Sequence, residues 1–336
     1  PWGAQAAQLL GGVGIDNEGL SGLELQHDRR LAGSHGESLM LRDARRRAYH
    51  WEVLKEARPG EDLVLTIDET VQYIASSELE KAVRENDAAW GAVIVSHPAS
   101  GEILAMATAP SYDPNDYPPP DPHLMRNQAI QENFEPGSTF KIVTAAAARE
   151  FNVAGFNDRF DCSQGYIRVP GYTIRDHKRM GVLTFSEVII DSSNVGTVKL
   201  GQRVGEENLY KMIRGFGFGE KTGIALPGEE GGLLHPTSSW SKSSLASHSI
   251  GYGVSVTALQ VLQAMNVIAN RGLHVPPRIA REDVDRSGFP PASAAAGARR
   301  VISERTAAEL IDNIFAKVAI EGTAAMARLD GYTVAG

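Results

Sequence analysis

A proline-glycine pair followed by an alanine-rich run fixes where one helix of this 336-residue chain begins. Pro136-Gly137 ends the preceding segment, and the residues that follow, STFKIVTAAAARE, form helix readily. Ser138 therefore lies in the first turn of the predicted helix. Lys141 comes three residues later and faces the same side of that helix.

Ser138 and Lys141 form a pair that can do chemistry. A serine hydroxyl is a weak nucleophile until a base removes its proton, and a lysine kept neutral by burial can be that base. The positive end of the helix favours the negative charge that develops when the hydroxyl attacks a carbonyl. The pattern therefore predicts acyl transfer through Ser138 and a lowered pKa for Lys141.

The S-x-x-K pattern is weak evidence by itself. Ser239-Trp240-Ser241-Lys242 repeats it in a serine-rich stretch that no Pro-Gly pair precedes. An N-cap serine beside a surface lysine explains most such matches. The case for Ser138 therefore depends on a second motif elsewhere in the chain.

That second motif is Ser192-Ser193-Asn194, which lies between two predicted helices. Thr184 and Glu187 have the spacing of a capping box and open the first of these helices. A loop in this position can aim a hydroxyl and an amide into a cleft, the hydroxyl to pass protons and the amide to hold a peptide group. Taken alone, the loop is better explained as a helix–helix connection.

Local patterns predict the elements around these motifs. Residues 63–67 alternate like a short strand, and Asp68 is placed to cap a helix. The apolar face of that helix comprises Val71, Ile74, Ala75, Leu79, Ala82 and Val83.

Further along, two hairpins are predicted at residues 92–107 and 165–176. The proline-rich segment 108–123 is predicted to be a surface loop. Residues 256–272 are predicted to form a helix with Thr257 as its cap and Gly272 as its stop.

Composition excludes several classes of protein. The net charge of −8 argues against nucleic acid as a partner, and the single Cys162 cannot form an intrachain disulfide. No Cys/His cluster supports a metal site, and we expect no cofactor. The sequence RGFGFGEKTG is not a phosphate loop, because Glu220 separates the last glycine from Lys221.

The sequences EPGSTFK, SSNVG and SIGYGVSVTALQ together resemble the transpeptidase domain of class B penicillin-binding proteins, whose signature joins S-x-x-K, S-x-N and K-T-G. The resemblance implies an α+β fold like that of penicillin-binding proteins and serine β-lactamases, an antiparallel sheet flanked by helices. Residues 1–60 are similar to the end of the family's non-catalytic pedestal. Residues 61–336 are similar to the transpeptidase domain, without its last strands.

The resemblance also implies a role for each motif residue. Ser138 would form an acyl-enzyme with the penultimate D-Ala of a peptidoglycan stem peptide, and Lys141 would be its general base. Ser192 would relay a proton to the departing D-Ala. Asn194 would bind the substrate's amide and help to orient Lys141.

For the whole protein, the resemblance implies cross-linking of stem peptides ending in D-Ala-D-Ala and covalent inhibition by β-lactams. It implies a place on the extracytoplasmic face of the bacterial membrane, through an N-terminal anchor that this chain does not include. A membrane glycosyltransferase and other cell-wall synthesis proteins would be its partners. The alternatives are a serine β-lactamase and a non-catalytic β-lactam sensor. Class A β-lactamases carry a deacylating base in an E-x-x-L-N stretch, which this sequence lacks.

Lys221-Thr222-Gly223 spells the family's third motif but is predicted to be an exposed loop outside the active site. In the family the functional triplet lies far downstream, on a strand that follows a helical segment. Residues 306–322 supply that predicted helical segment, and residues 332–334 suit the start of the strand. We therefore expect Lys-Thr-Gly to follow directly after Gly336 in the intact protein.

Overall fold

The structure is a computed structural model that describes residues 3–116, 119, 121–281 and 297–336. Its helices are α1 Ala7–Leu10, α2 Gly22–Gln26, α3 Asp28–Leu31, α4 Glu69–Glu85, α5 Gln128–Gln131, α6 Lys141–Glu150, α7 Phe185–Ile190, α8 Asn194–Val204, α9 Glu206–Gly215, α10 Ser244–Ser249, α11 Ala258–Ala269, α12 Glu304–Leu310 and α13 Ala316–Glu321. Short 3₁₀ turns span Pro122–Met125, Gly137–Phe140, Thr237–Ser239 and Ala325–Ala327, and a π-helical turn spans Ile311–Phe315.

The strands are β1 Glu37–Arg42, β2 Ala48–Lys55, β3 Gly91–Ser96, β4 Ile103–Ala109, β5 Arg159–Asp161, β6 Tyr166–Val169, β7 Tyr172–Arg175, β8 Val182–Thr184, β9 Leu273–His274 and β10 Arg299–Arg300. Within the described residues they pair two by two, and every pair is antiparallel: β1 with β2, β3 with β4, β5 with β8, β6 with β7 and β9 with β10. Both predicted hairpins are confirmed, as β3–β4 and β6–β7. The mixture of helices and antiparallel strands confirms the α+β class.

Helix α4 packs against the β3–β4 hairpin and begins where the sequence predicts. The Asp68 carboxylate accepts a hydrogen bond of 3.0 Å from the Val71 amide, which confirms the cap. The predicted apolar face is only partly right, since Ile74 and Ala82 are exposed. Gln72 is buried instead, because its side-chain amide pairs with the backbone N–H and C=O of Met106 on β4.

The strand predicted at residues 63–67 is wrong. In the structure this segment makes a single β-bridge, between Leu65 and Ala280, and has no ladder. The side chain of Thr66 turns inward and donates to backbone carbonyls, at 2.7 Å to Ile103 and 3.2 Å to Ile279. The alternating pattern therefore reflects a buried extended segment rather than a paired strand.

Helix α6 lies at the centre of the largest hydrophobic cluster. Val143 and the four alanines that follow Thr144 are fully buried, which explains why small residues fill this helix. Neighbouring helices pack directly on it, including α8, α9 and α12. A helix enclosed in this way holds its first turn in a fixed position.

The N-terminal residues share a core with the rest of the chain. Leu9 and Leu23 belong to one buried cluster with Ile130 and Leu226. By contrast, the β1–β2 ribbon is exposed along both strands. The domain boundary at residue 60 stays a prediction.

Two predicted segments differ from the structure in part. Among its described residues, the proline-rich segment has no helix or strand between Ala109 and the 3₁₀ turn that begins at Pro122, as predicted. Tyr112 within it is nevertheless buried, and its hydroxyl donates to the Ala7 carbonyl at 3.4 Å. Tyr117, Pro118 and Pro120 of this segment lie outside the described residues. Helix α11 is capped by Thr257 in a capping box, as predicted, but ends at Ala269, three residues before Gly272.

The C-terminal helical segment is confirmed by α12, the π-helical turn and α13. The strand predicted at residues 332–334 is wrong, because the structure assigns these residues no regular element and leaves Tyr332 77% exposed. A high strand propensity forms no ladder unless a partner strand lies alongside.

Candidate active site

Ser138 lies in the 3₁₀ turn Gly137–Phe140, which runs directly into α6 at Lys141. Side chains three residues apart eclipse one another in a 3₁₀ turn, so Ser138 and Lys141 face the same side. Ser138 is exposed, whereas only 2% of Lys141 is exposed. The turn therefore carries an exposed serine three residues before a buried lysine, as the sequence predicts.

The structure brings Lys141 and Ser192 into direct contact. Lys141 Nζ donates to the Ser192 carbonyl oxygen at 2.6 Å and to Ser192 Oγ at 2.9 Å. The S-x-x-K and S-x-N motifs thus meet in space although 50 residues separate Lys141 from Ser192 in the chain. The motif loop is more than a connection between helices, because its first residue contacts the lysine that follows Ser138.

Burial lowers the pKa of Lys141 from 10.5 to about 8, and the negative charge of Asp176 opposes that shift. The direction is the one predicted from the sequence. A pKa near 8 makes a substantial fraction of this amine neutral at mildly alkaline pH, which a proton acceptor requires.

The Ser192–Asn194 loop has a defined and partly strained geometry. Ser192 has a φ of 55°, in the left-handed region that side chains other than glycine and asparagine rarely adopt. Ser193 is buried and caps helix α8, accepting from the Gly196 amide at 3.0 Å. The predicted capping box of Thr184 and Glu187, which opens the preceding helix α7, is also present.

Asn194 occupies the first residue of α8, and its side-chain Nδ2 donates to the Arg175 carbonyl at 2.8 Å. Among the described residues, no hydrogen bond joins Asn194 to Lys141. The expected orienting contact between these two residues is therefore not present, and the Asn194 amide is held by strand β7 instead. Its role towards substrate stays a prediction.

Asp176 is a site residue that the motifs did not single out. It follows β7, and its carboxylate accepts from Ser193 Oγ at 3.1 and 3.2 Å and from the Val195 amide at 3.0 Å. The only sequence signal for it was its position at the end of a predicted hairpin. Its contact with the motif loop arises from tertiary packing.

Gly251 sets the position of the Ser138 turn. The Gly137 amide donates to the Gly251 carbonyl at 3.0 Å. A Cβ atom on Gly251 would lie 2.1 Å from the Gly137 carbonyl oxygen and 2.7 Å from Phe140 Cβ. The SIGYG segment therefore supports the Ser138 turn by a backbone-to-backbone contact that only glycine permits.

We expect Gly251→Ala to destabilise the protein by about 2–5 kcal/mol, from a strained φ of 80° together with the clash against Gly137. Gly171→Ala is the matched control. Gly171 has a φ of 94° and no atom within 4 Å of its added Cβ, so strain alone should cost about 1–2 kcal/mol. Thermal unfolding of both variants measures the difference, and equal losses would show that the contact with Gly137 is unimportant.

Lys221-Thr222-Gly223 forms a turn around a buried carboxylate. The amides of Thr222 and Gly223 donate to Glu229 at 2.7 and 3.2 Å, and the Thr222 hydroxyl donates to it at 2.5 Å. Lys221 itself is exposed. The predicted exposed loop is confirmed.

We expect Lys221→Ala to leave the rate of β-lactam acylation within about twofold of wild type, the usual result for a surface change remote from the chemistry. The rate is measured by stopped-flow or gel labelling with a fluorescent penicillin. A loss of tenfold or more would place this triplet in the active site and refute the loop interpretation.

The second S-x-x-K match also places an exposed serine in a 3₁₀ turn, but it lacks the buried lysine of the first. Ser239 ends the 3₁₀ turn Thr237–Ser239, and both Ser239 and Lys242 are exposed. Lys242 lacks the burial that lowers the pKa of Lys141.

Comparison with known proteins agrees with this geometry. Residues 91–336 match the sequence profile described as "Penicillin binding protein transpeptidase domain". The chain belongs to this family. The α+β fold predicted from the resemblance is that of the penicillin-binding protein transpeptidase domain.

Two relatives show how far the similarity of this penicillin-binding protein extends. It is 37% identical to "Stage V sporulation protein D" of Bacillus subtilis (strain 168), over 100% of this chain and 53% of that protein. It is 34% identical to "Peptidoglycan D,D-transpeptidase FtsI" of Escherichia coli (strain K12), over 84% of this chain and 48% of that protein. The chain spans about half the length of these curated relatives.

Among solved structures, this penicillin-binding protein is similar to penicillin binding protein 3 of Mycobacterium tuberculosis. The apo crystal structure matches with a TM-score of 0.82 and 35% identity, over 99% of this chain and 73% of that one. Crystal structures of that protein complexed with aztreonam and with ampicillin also match.

Proposed function

We propose that this chain carries the acyl-transfer centre of a peptidoglycan D,D-transpeptidase. Ser138 is the nucleophile, Lys141 the general base and Ser192 the proton relay. The observation that carries the proposal is the placement of Lys141, one turn after an exposed serine, buried, with its amine on Ser192. Membership of the transpeptidase family supports it.

Acylation follows from this arrangement. The neutral Lys141 amine takes the proton of Ser138 Oγ, which attacks the carbonyl carbon of the penultimate D-Ala of a stem peptide. Ser138 sits at the positive end of α6, where the developing oxyanion is stabilised. The protonated Lys141 then donates to Ser192 Oγ, and the Ser192 hydroxyl passes a proton to the nitrogen of the departing D-Ala as the C–N bond breaks.

Transfer reverses these proton movements. The amine of a neighbouring stem peptide attacks the ester, its proton returns through the Ser192–Lys141 pair to Ser138 Oγ, and a peptide cross-link is released. A β-lactam acylates Ser138 in the same way, but its leaving nitrogen stays tethered by the opened ring. The side-chain amide of Asn194, fixed by Arg175, is proposed to bind the substrate's peptide group.

We place this activity on the extracytoplasmic face of the bacterial membrane, where peptidoglycan is assembled. Stem peptides ending in D-Ala-D-Ala and β-lactams are the proposed ligands, and a membrane glycosyltransferase with other cell-wall synthesis proteins are the proposed partners. In the described part of the chain, no helix combines the length and apolarity that crossing a membrane requires.

The pH dependence of acylation tests the proposed base. Only neutral Lys141 can accept the Ser138 proton, so the acylation rate should rise with pH and approach a plateau above the Lys141 pKa of about 8. The profile is measured as the rate of labelling by a fluorescent penicillin from about pH 6 to about pH 10, which spans about two pH units on either side of that pKa. A flat profile would rule out Lys141 as the base.

The product of turnover separates the competing functions. A transpeptidase turns over a D-Ala-D-Ala thioester or peptide and transfers the acyl group to an added amine. A β-lactamase instead hydrolyses penicillin repeatedly, and a sensor is acylated once without turning over the D-Ala-D-Ala substrate. The assay uses the protein in its full natural length.

A further inference from the structure

Arg175, the last residue of strand β7, and Asp176, which follows it, hold the end of the motif loop and the start of helix α8. The Arg175 carbonyl accepts from Asn194 Nδ2 at 2.8 Å. The Asp176 carboxylate accepts from the Ser193 hydroxyl and from the Val195 amide. The hairpin thus fixes every residue of the loop that follows Ser192.

We propose that Asp176 is a positioning residue for acylation: it anchors the loop that presents Ser192 to Lys141. This inference rests on the proposed roles of Ser138 and Lys141. It adds a carboxylate to a centre otherwise built from hydroxyls, an amine and an amide.

The anchoring role follows from the hydrogen bonds of Ser193. Its hydroxyl has one proton, which it donates to Asp176, and it accepts from the Gly196 amide. The Asp176 carboxylate also accepts a hydrogen bond from the Val195 amide in the first turn of α8, where the positive helix end stabilises a carboxylate. Without Asp176, the start of this helix loses two of its contacts.

The anchor matters because Ser192 is strained. A φ of 55° is strained for a residue with a Cβ, so the loop relaxes unless its neighbours hold it. Ser193 is the next residue, and its side chain is fixed by Asp176. Relaxation would move the Ser192 hydroxyl and carbonyl away from Lys141 Nζ, which they contact at 2.9 and 2.6 Å.

The charge of Asp176 provides a second readout of its place beside the motif loop. Burial lowers the Lys141 pKa, and the negative charge of Asp176 raises it. The Cys162 thiol, behind Ser193, has its pKa raised by burial and stays neutral.

The other charged groups nearby are already engaged. Lys178 and Asp191 form an exposed ion pair at 3.2 Å. The Lys199 ammonium donates to the Asp161 carbonyl, and the Asp161 carboxylate accepts from the Ser163 amide at 3.0 Å. Asp176 is therefore the carboxylate whose removal should change Lys141.

The test compares pH–rate profiles of penicillin acylation for the whole chain and four variants. Asp176→Asn removes the charge and weakens the anchor, so its plateau rate should fall by about tenfold or more and its midpoint should move to lower pH by at least about 0.5 unit. Ser193→Ala breaks the anchor but keeps the charge, so its plateau should fall while its midpoint stays at the wild-type value.

Two further variants complete the set. Asp176→Glu retains the charge and should restore the midpoint, with a reduced plateau because the longer side chain misplaces the carboxylate. Asp161→Asn is the matched control, a nearby aspartate turned towards Ser163, and should show the wild-type profile. Circular dichroism at the assay temperature establishes that each variant is folded.

The inference would be overturned if Asp176→Asn kept both the midpoint and the plateau rate of the wild type. It would also be overturned if the midpoint shifted as far in Asp176→Glu as in Asp176→Asn. If Asp176→Asn does not fold, Ser193→Ala decides, and a wild-type plateau there refutes the anchoring role. A wild-type protein that is not acylated at Ser138 would refute the proposed function itself. If Ser138 is acylated and the pH–rate profile does not change when Asp176 is replaced, only this inference is refuted.

Discussion

Ser138→Ala is expected to abolish covalent labelling of the protein by a fluorescent penicillin. The ester bond to the β-lactam carbonyl requires the Ser138 oxygen, and alanine leaves no atom to form it. The loss should be complete within the sensitivity of a gel assay. The turn should remain intact, because no described hydrogen bond that holds it uses the Ser138 side chain; Thr139 Oγ1 and the Gly137 amide make the local bonds.

Ser239→Ala is the matched control for this experiment. Ser239 starts the second S-x-x-K sequence, but it is exposed at the end of a short 3₁₀ turn and has no buried lysine beside it. Its variant should label like wild type. Labelling that survives in Ser138→Ala and disappears in Ser239→Ala would reverse the assignment.

Lys141→Arg is expected to lower the acylation rate by about 10²–10⁴-fold, the usual contribution of a general base. Arginine keeps a positive charge and donors for Ser192 but stays protonated at every accessible pH, so it cannot take the Ser138 proton. Rates with saturating penicillin measure the loss. The residual rate should also lack the rise near pH 8 that is expected of the wild type.

The guanidinium of Lys141→Arg is larger than the lysine amine and strains a site where only 2% of the lysine is exposed. Lys141→Met therefore provides a second form of the same experiment. Methionine matches the length of the stem without a proton acceptor, and it should lose as much activity as arginine. Lys199→Arg, on the adjoining helix, should retain the wild-type rate. Near-wild-type acylation in folded Lys141→Met would show that another group is the base.

Much of the site could be predicted because its chemistry lies in short segments. Pro136-Gly137 and the helix formers after it place Ser138 and Lys141 on one side of a turn, which local geometry alone determines. Thr184 with Glu187 and Thr257 with Gln260 cap helices through contacts only three residues apart. Such features depend little on the rest of the fold.

Other features could not be predicted because they depend on distant partners. Asp176 stabilises the Ser193 loop only after the hairpin and α8 pack together, and nothing local to either segment specifies that contact. The Asn194 side chain was expected to contact Lys141, but its amide donates a hydrogen bond to the Arg175 carbonyl at the end of β7. Gln72 is buried where Ile74 was expected, because the backbone N–H and C=O of Met106 both hydrogen-bond to the Gln72 side chain.

Strand assignments failed for the same reason. Residues 63–67 and 332–334 have strand-like side chains, yet a strand is defined by a ladder with a neighbour. In the structure the first segment makes one bridge, to Ala280, and the second makes none among the described residues. Periodicity in the sequence records which side chains are buried, whereas pairing is decided by the tertiary fold.

Peptide mapping of the penicillin-labelled protein tests the central claim most directly. Cleavage after lysine and arginine yields NQAIQENFEPGSTFK, which carries Ser138, and TGIALPGEEGGLLHPTSSWSK, which carries Ser239. We predict that the mass of one opened penicillin is found on the first peptide, with fragment ions placing it on Ser138. An adduct found on the second peptide, or on any residue other than Ser138, would contradict the account.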